Sequence, residues 1–115
     1  MASSRAYQFA EVLLVPFPFT NQAGGKQRPT AVISSNTYNN ARADLVLMAI
    51  TSQIRQPLGL AETLIQDWQA AGLIKTSLLK PVITTIEQRL VIKTLGYLSP
   101  QDTLALRASI QMIVG

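Results

Sequence analysis

The sequence contains neither cysteine nor histidine. Without cysteine there is no disulfide scaffold, and a reducing cytoplasm is the simpler setting. The two absences together exclude Ser-His-Asp and Cys-His catalysis, paired-histidine RNA cleavage, and any zinc site that needs thiolate or imidazole. A hard-metal site would need clustered carboxylates. The six acids, Glu11, Asp44, Glu62, Asp67, Glu87 and Asp102, stand singly along the chain. No metal and no cofactor are therefore expected. No apolar run approaches the ~20 residues that span a bilayer. Val12–Val15, broken by Pro16, is too short for the core of a signal peptide. The expectation is a soluble, untargeted, cytoplasmic protein with no membrane partner.

Charge is also scarce. Only 14% of residues are charged, so most surface polarity must come from Ser, Thr, Asn and Gln. Ten Lys and Arg against six Asp and Glu leave +4, a mild bias toward a polyanionic partner. What the chain has in quantity is apolar side chain: 48% of 115 residues, enough to fill a core without cross-links. Residues 1–115 read as one domain, with 1–8 as an N-terminal tail. So much apolar surface in so short a chain predicts a face left for a partner, and hence a homodimer. Phe17, Phe19 and the C-terminal helix are the candidates for that face.

Hydrophobic patterning predicts short strands followed by one helix. Glu11–Val15 is apolar on consecutive positions, the mark of a strand covered on both faces. Thr30–Ser34 and Leu45–Ile50 read as the second and third strands. Between them Ser35–Arg42 reads as a polar connection, and Thr20–Gln27 and Thr51–Pro57 read as polar loops. Leu58–Ile65 reads as extended, with a helical turn at Asp67–Ala71 that Gly72 would end. Ser77–Ile86 is β-rich, and Pro81 within it calls for an edge or a bulge. Glu87–Leu95 fits a short helix or a strand equally. The last element is plain: Ser99 as N-cap, Pro100 at the first helical position, Asp102 at N3, then Leu106, Ile110 and Ile113 on one face. The fold class is mainly β with α, a small strongly bent sheet or barrel with the helix packed on one side.

Two clusters could carry chemistry. Arg28 closes a polar loop and opens a strand, so the sheet would fix its base while its fork meets two phosphate oxygens. A plain surface arginine at a strand start has the same pattern. Thr51, Ser52 and Gln53 directly follow a buried strand, where hydroxyls can orient a phosphate and Gln53 can read a base edge. An ordinary polar turn also fits. Lys26, Arg55 and Lys80 are isolated cations that would form a phosphate track only if the loops converge. Phe17, Phe19 and Tyr38 have rings able to stack bases, though such residues beside strands are commonly core or interface. Trp68 reads as a packing residue. Glu11 is the one acid near the first strand.

Five pieces in order carry a resemblance: PFPFTN with GGKQRPTAVIS over Pro16–Ser34, TSQ after LVLMAI, the Ala71–Pro81 stretch, TTIEQRL over Thr84–Leu90, and the LG and LS pieces before the last helix. From about Phe9 to the C-terminus the chain resembles the PemK/MazF toxins of type II toxin–antitoxin systems. The resemblance implies a small SH3-like barrel of the CcdB/PemK type with a C-terminal helix. It further implies a homodimer, metal-independent cleavage of single-stranded RNA at short motifs, and inhibition by a cognate antitoxin. Arg28 and Thr51 stand where the family has its catalytic arginine and threonine. Ser52, Gln53 and Arg55 stand where the family's next loop residues help grip RNA, and Thr20, Asn21, Lys26 and Lys80 are further candidates for RNA binding. The chain departs from the family pattern at Ala10-Glu11, at Ala23 and Gly24 in the first loop, and at Lys80-Pro81. Two other readings stay open: a non-catalytic CcdB-like toxin that binds a protein such as gyrase, and an RNA-binding SH3-like module without catalysis.

Overall fold

The structure, a computed structural model, describes residues 6–16 and 26–115. Six strands form one curled antiparallel sheet: β1 (Glu11–Pro16), β2 (Gln27–Val32), β3 (Asp44–Thr51), β4 (Thr63–Leu64), β5 (Leu78–Glu87) and β6 (Lys93–Tyr97), in the order β4-β5-β3-β2-β1-β6. Helix α1 (Asn36–Ala41) joins β2 to β3, and α2 (Pro100–Val114) ends the chain. This is the expected small, strongly bent sheet with a terminal helix, curled into a half-barrel.

The unbroken apolar runs are explained by burial on both faces. Val12, Ala31, Met48, Ile50 and Leu79 form one cluster with Leu98 and Leu106, the latter from α2. Leu13, Val15, Val32, Leu45, Leu47 and Ile86 form the other. Neighbours in β1 and β3 thus point to opposite cores, as a two-residue pleat requires. Each fully buried Leu contributes on the order of 1.5–3 kcal/mol relative to exposure. Trp68 packs against the first cluster, as its reading as a packing residue anticipates.

Helix α2 begins as the capping pattern predicts. Ser99 Oγ accepts from the Asp102 backbone N–H at 3.2 Å, and Pro100 needs no donor there. Asp102 does more than favour the helix N-terminus. It is 1% exposed, and its two oxygens accept from the backbone N–H groups of Gln66 and Asp67, each at 2.8 Å. The turn after β4 is thereby tied to the helix. Gly72 ends that turn with φ +83, where a Cβ would lie 2.0 Å from the Leu95 carbonyl oxygen. Only glycine fits.

Two expectations change and one open reading is resolved. Ser35–Arg42 is not simply a connection: Ser35 Oγ accepts from Tyr38 N at 3.1 Å and caps α1. Six residues without apolar periodicity give no helical signal, so the cap alone marks it. Leu58–Ile65, expected to be extended, holds a tight turn at Leu60–Ala61 and is strand only at Thr63–Leu64. Glu87–Leu95 holds both candidates in succession, a 3-10 turn at Gln88–Leu90 and then β6. The N-terminal tail expected over 1–8 lies partly outside the described residues. Within them, Tyr7 and Gln8 bond to Asn39 and Glu11.

Candidate nucleic-acid interface

The sheet brings Arg28 to Thr51. β2 and β3 pair Thr30 with Ala49 and Val32 with Leu47, and two further residues of that register set Arg28 beside Thr51. Arg28 is four residues from Val32, and Thr51 four from Leu47, so both side chains stand on the face of the second core cluster. Both line a cavity of about 290 Å³ with Gln53, Lys80 and Val82. Arg28 is half-buried, with its Nε shielded from solvent. Thr51 Oγ1 accepts from the Gln53 backbone N–H at 3.1 Å. That bond occupies a lone pair and leaves the hydroxyl proton to be donated into the cavity.

A bulge delivers Lys80. Met48 pairs with Ile83, but Ala49 pairs with Lys80, which leaves Pro81 and Val82 without a partner on β3. Proline has no N–H to lose at such a place, as its position in the sequence suggests. Bulges re-aim side chains. Here Lys80 and Val82 both reach the cavity that holds Arg28 and Thr51. Thr51, Gln53 and Lys80 also border an adjoining depression of about 220 Å³ with Arg55 and Glu62. A third, of about 210 Å³, carries Arg28, Thr51, Ser52, Lys75 and Ser77. The three depressions meet at Thr51.

Glu62, Lys75 and Ser77 are not among the site residues that the sequence singles out. Glu62 is placed by a tight turn rather than by a motif. Its backbone N–H donates to the Gly59 carbonyl at 3.1 Å, and its Oε1 accepts from the Gly59 N–H at 2.8 Å. Ala61, just before it, has φ +68, a left-handed conformation that costs a non-glycine residue about 1–2 kcal/mol. Ser109 of α2 donates to the Ala61 carbonyl at 2.7 Å in a buried bond that holds the turn.

Of the residues singled out from sequence, Arg28, Thr51, Ser52, Gln53, Arg55 and Lys80 come together. Lys26 is exposed just before β2. Thr20, Asn21, Phe17 and Phe19 lie outside the described residues. Tyr38 is elsewhere: its hydroxyl donates to Asp44 Oδ2 at 2.8 Å, at the start of β3, about 23 Å along the strand from Thr51. It is therefore no stacking platform for this site. Glu11 is also remote. It is fully buried, and its oxygens accept from Gln8 N at 3.0 Å and Thr94 Oγ1 at 2.9 Å. Val15, not Glu11, pairs with Arg28, which puts Glu11 four residues or about 13 Å up the strand.

Among the described residues no three acidic side chains gather as a metal site would require, and no helix is long and apolar enough to cross a membrane. A wider depression of about 720 Å³, lined by Asn39, Arg42, Glu87 and Gln88, lies at the other end of the sheet. Its polar groups bond mainly to one another: Gln88 Nε2 donates to the carbonyls of Asn39 at 2.9 Å and Arg42 at 3.0 Å.

Solved structures share the whole architecture. An endoribonuclease in complex with its cognate antitoxin from a mycobacterial species superposes with a TM-score of 0.77 at 16% identity, covering 96% of each chain. A MazE–MazF complex from Deinococcus radiodurans gives 0.73 at 15%, covering 97% of this chain and 98% of that one. The Mycobacterium tuberculosis toxin MazF-mt6 gives 0.69 at 18%, covering 87% and 91%. At such identities the likeness speaks for the fold alone. No curated protein sequence matches the chain. The family model for the PemK-like, MazF-like toxin of type II toxin–antitoxin systems matches residues 8–114, nearly the entire chain, which belongs to that family.

Proposed function

We propose that the protein is the toxin of a type II toxin–antitoxin pair and acts as a metal-independent endoribonuclease. Its substrate is single-stranded RNA, cut at a short sequence motif. The observation that carries this reading is the meeting of Arg28 and Thr51, from adjacent strands, in one cavity with Lys80 and Gln53. Lys75, Arg28, Lys80 and Arg55 border the three adjoining depressions, a basic path suited to successive phosphates.

In the reaction the 2′-hydroxyl attacks the adjacent phosphorus, giving a 2′,3′-cyclic phosphate and a 5′-hydroxyl end. Negative charge grows on the non-bridging oxygens. The Arg28 guanidinium, fixed at the start of β2, stabilises that charge. The Thr51 hydroxyl, its oxygen already engaged by Gln53 N, donates to the same phosphate and helps set in-line geometry. Gln53, Ser52 and Arg55, exposed or at the rim, grip the flanking nucleotides. Thr20, Asn21 and Lys26 from the first loop complete that grip.

The same reading includes a homodimer and a cytoplasmic setting. Leu104, Met112 and Val114 of α2 are 69%, 58% and 70% exposed and suit a subunit contact. The cognate antitoxin would cover the basic path with an acidic segment. The test is incubation with a long unstructured RNA in EDTA, beside Arg28→Ala. Discrete cuts ending in cyclic phosphate, lost in the variant, support the reading. Intact RNA from several unrelated substrates overturns it. Toxicity that survives Arg28→Ala would point instead to a protein target such as gyrase, engaged through α2.

A further inference from the structure

The cavity that holds Arg28 and Thr51 has cations, a hydroxyl and an amide but no group that accepts a proton readily. An arginine stays charged at any working pH, and a threonine hydroxyl is a weak base. Glu11, the acid nearest in the early sequence, is fully buried and engaged far up β1. Among the described residues one carboxylate borders the depressions that meet at Thr51, and it is Glu62.

Two features hold Glu62 there. Its Oε1 accepts from Gly59 N at 2.8 Å, which orients the carboxylate and leaves Oε2 for the depression it shares with Thr51, Gln53, Arg55 and Lys80. The left-handed Ala61 sets the direction of the chain, and Ser109 of α2 fixes it through the Ala61 carbonyl at 2.7 Å. Strained backbone of this kind persists where its surroundings over-determine it and gathers at functional sites. The turn is thus a mount for one carboxylate beside the site.

We infer that Glu62 accepts the proton of the attacking 2′-hydroxyl, an inference that rests on the nuclease reading above. As the O2′–H bond breaks, its proton passes to Glu62 Oε2 and the O2′–P bond forms. The electron pair of the P–O5′ bond leaves on O5′, which takes a proton from solvent water. The hydroxide so formed removes the proton from Glu62 and restores the carboxylate. The charged groups facing Glu62 are Arg55 from its own loop and Lys80 from β5. Helix α2 meets this turn through Ser109, which is uncharged.

The experiment is single-turnover cleavage of one RNA across a pH series by the wild type, Glu62→Gln and Glu62→Ala. Glutamine keeps the oxygen that accepts from Gly59 N, so the turn stays folded while the base is lost. The expected result is a fall of about 10²–10⁴ in the rate at saturating RNA with little change in KM. The wild-type rate should fall on the acid side with unit slope, and that limb should vanish in Glu62→Gln. Added formate should restore part of the rate of Glu62→Ala and none of that of Arg28→Ala. A merely structural carboxylate would move neither the pH limb nor the formate response. Glu62→Gln cutting at the wild-type rate, or keeping the acid limb, overturns the assignment and leaves the nuclease reading intact. A wild type that cuts no RNA overturns both.

Discussion

The two ends of β3 use polar side chains in opposite ways. At its start, Asp44 accepts from Tyr38 Oη at 2.8 Å and meets Arg42 Nε at 3.4 Å. Asn39, 3% exposed, donates to the carbonyls of Tyr7 at 3.0 Å and Ser34 at 3.1 Å, and accepts from Ser34 Oγ. Gln88 closes the network from beyond β5. At the end of β3, Thr51 takes one bond from Gln53 N, while the side chains of Gln53, Arg55 and Lys80 make no hydrogen bond to the described residues. Donors spent inside the chain serve the fold. Donors left at a cavity are open to a ligand. The wider depression lies at the first end and the proposed site at the second, so room alone does not single out a site.

The sharpest way to break this comparison is Arg28→Ala. Removing a fixed donor aimed at developing charge should slow cleavage about 10²–10³-fold. Melting should show a folded protein, because the second core cluster begins further along the strand at Val32. Gel assays of RNA ends and a thermal melt on the same sample read both. A variant that loses activity only in step with its folded fraction would erase the distinction between the ends.

Next in size is Thr51→Val, which keeps the volume and removes the hydroxyl. A hydrogen bond to a charged group is worth about 1.5–3 kcal/mol, so the rate should fall on the order of 10–100-fold. Thr51→Ser, which keeps the donor, should stay within a few-fold of wild type. Equal losses in the two variants would assign Thr51 to packing rather than to phosphate.

At the other end Asn39→Ala should do the reverse. Its bonds run to Ser34 and to the Tyr7 carbonyl, and leaving such partners buried and unsatisfied costs about 1–3 kcal/mol. Denaturant titration should record that loss, with cleavage per folded molecule unchanged. A cleavage defect in the folded protein would mean that the network at the first end reaches the site.

How far the sequence could announce each end follows from the range of the forces that build it. The strands are legible because their apolar runs are buried on both faces, and α2 because Ser99, Pro100 and Asp102 act within one turn. Helix α1 is six residues, polar but for Ala41, begun by a single cap, so nothing periodic marks it. Arg28 and Thr51 are legible by resemblance, and antiparallel register then makes them neighbours. Lys80 reaches the site through a bulge that Pro81 hints at. Glu62 has no local signal beyond the Gly59 turn. It depends on β4 pairing with β5 and on a hydroxyl from α2, contacts separated by up to 48 residues.

The smallest expected effect is a pH dependence confined to the first end. The hydrogen bond from Tyr38, with lesser help from Arg42, holds the Asp44 carboxyl below its ordinary range and raises the Tyr38 phenol. A carboxylate depressed in the folded state contributes stability that is fully present above its unfolded pKa, about 3.9, and is lost as pH falls through the lower folded value. The contribution should therefore be constant from neutral pH down to about pH 5, fall as pH drops past about 4, and be gone only below the depressed folded value. Asp44→Asn removes the ionisable group, so its stability should fall less than that of wild type over that acid window. Tyr38→Phe should flatten the same window from the other side of the bond. Because Glu62 is proposed to govern the acid limb of cleavage at the far end, Asp44→Asn should leave the pH profile of the folded enzyme where it was. A shift of that profile in Asp44→Asn would show that the two ends of β3 are coupled electrostatically across about 23 Å of strand, farther than screening at ordinary salt allows.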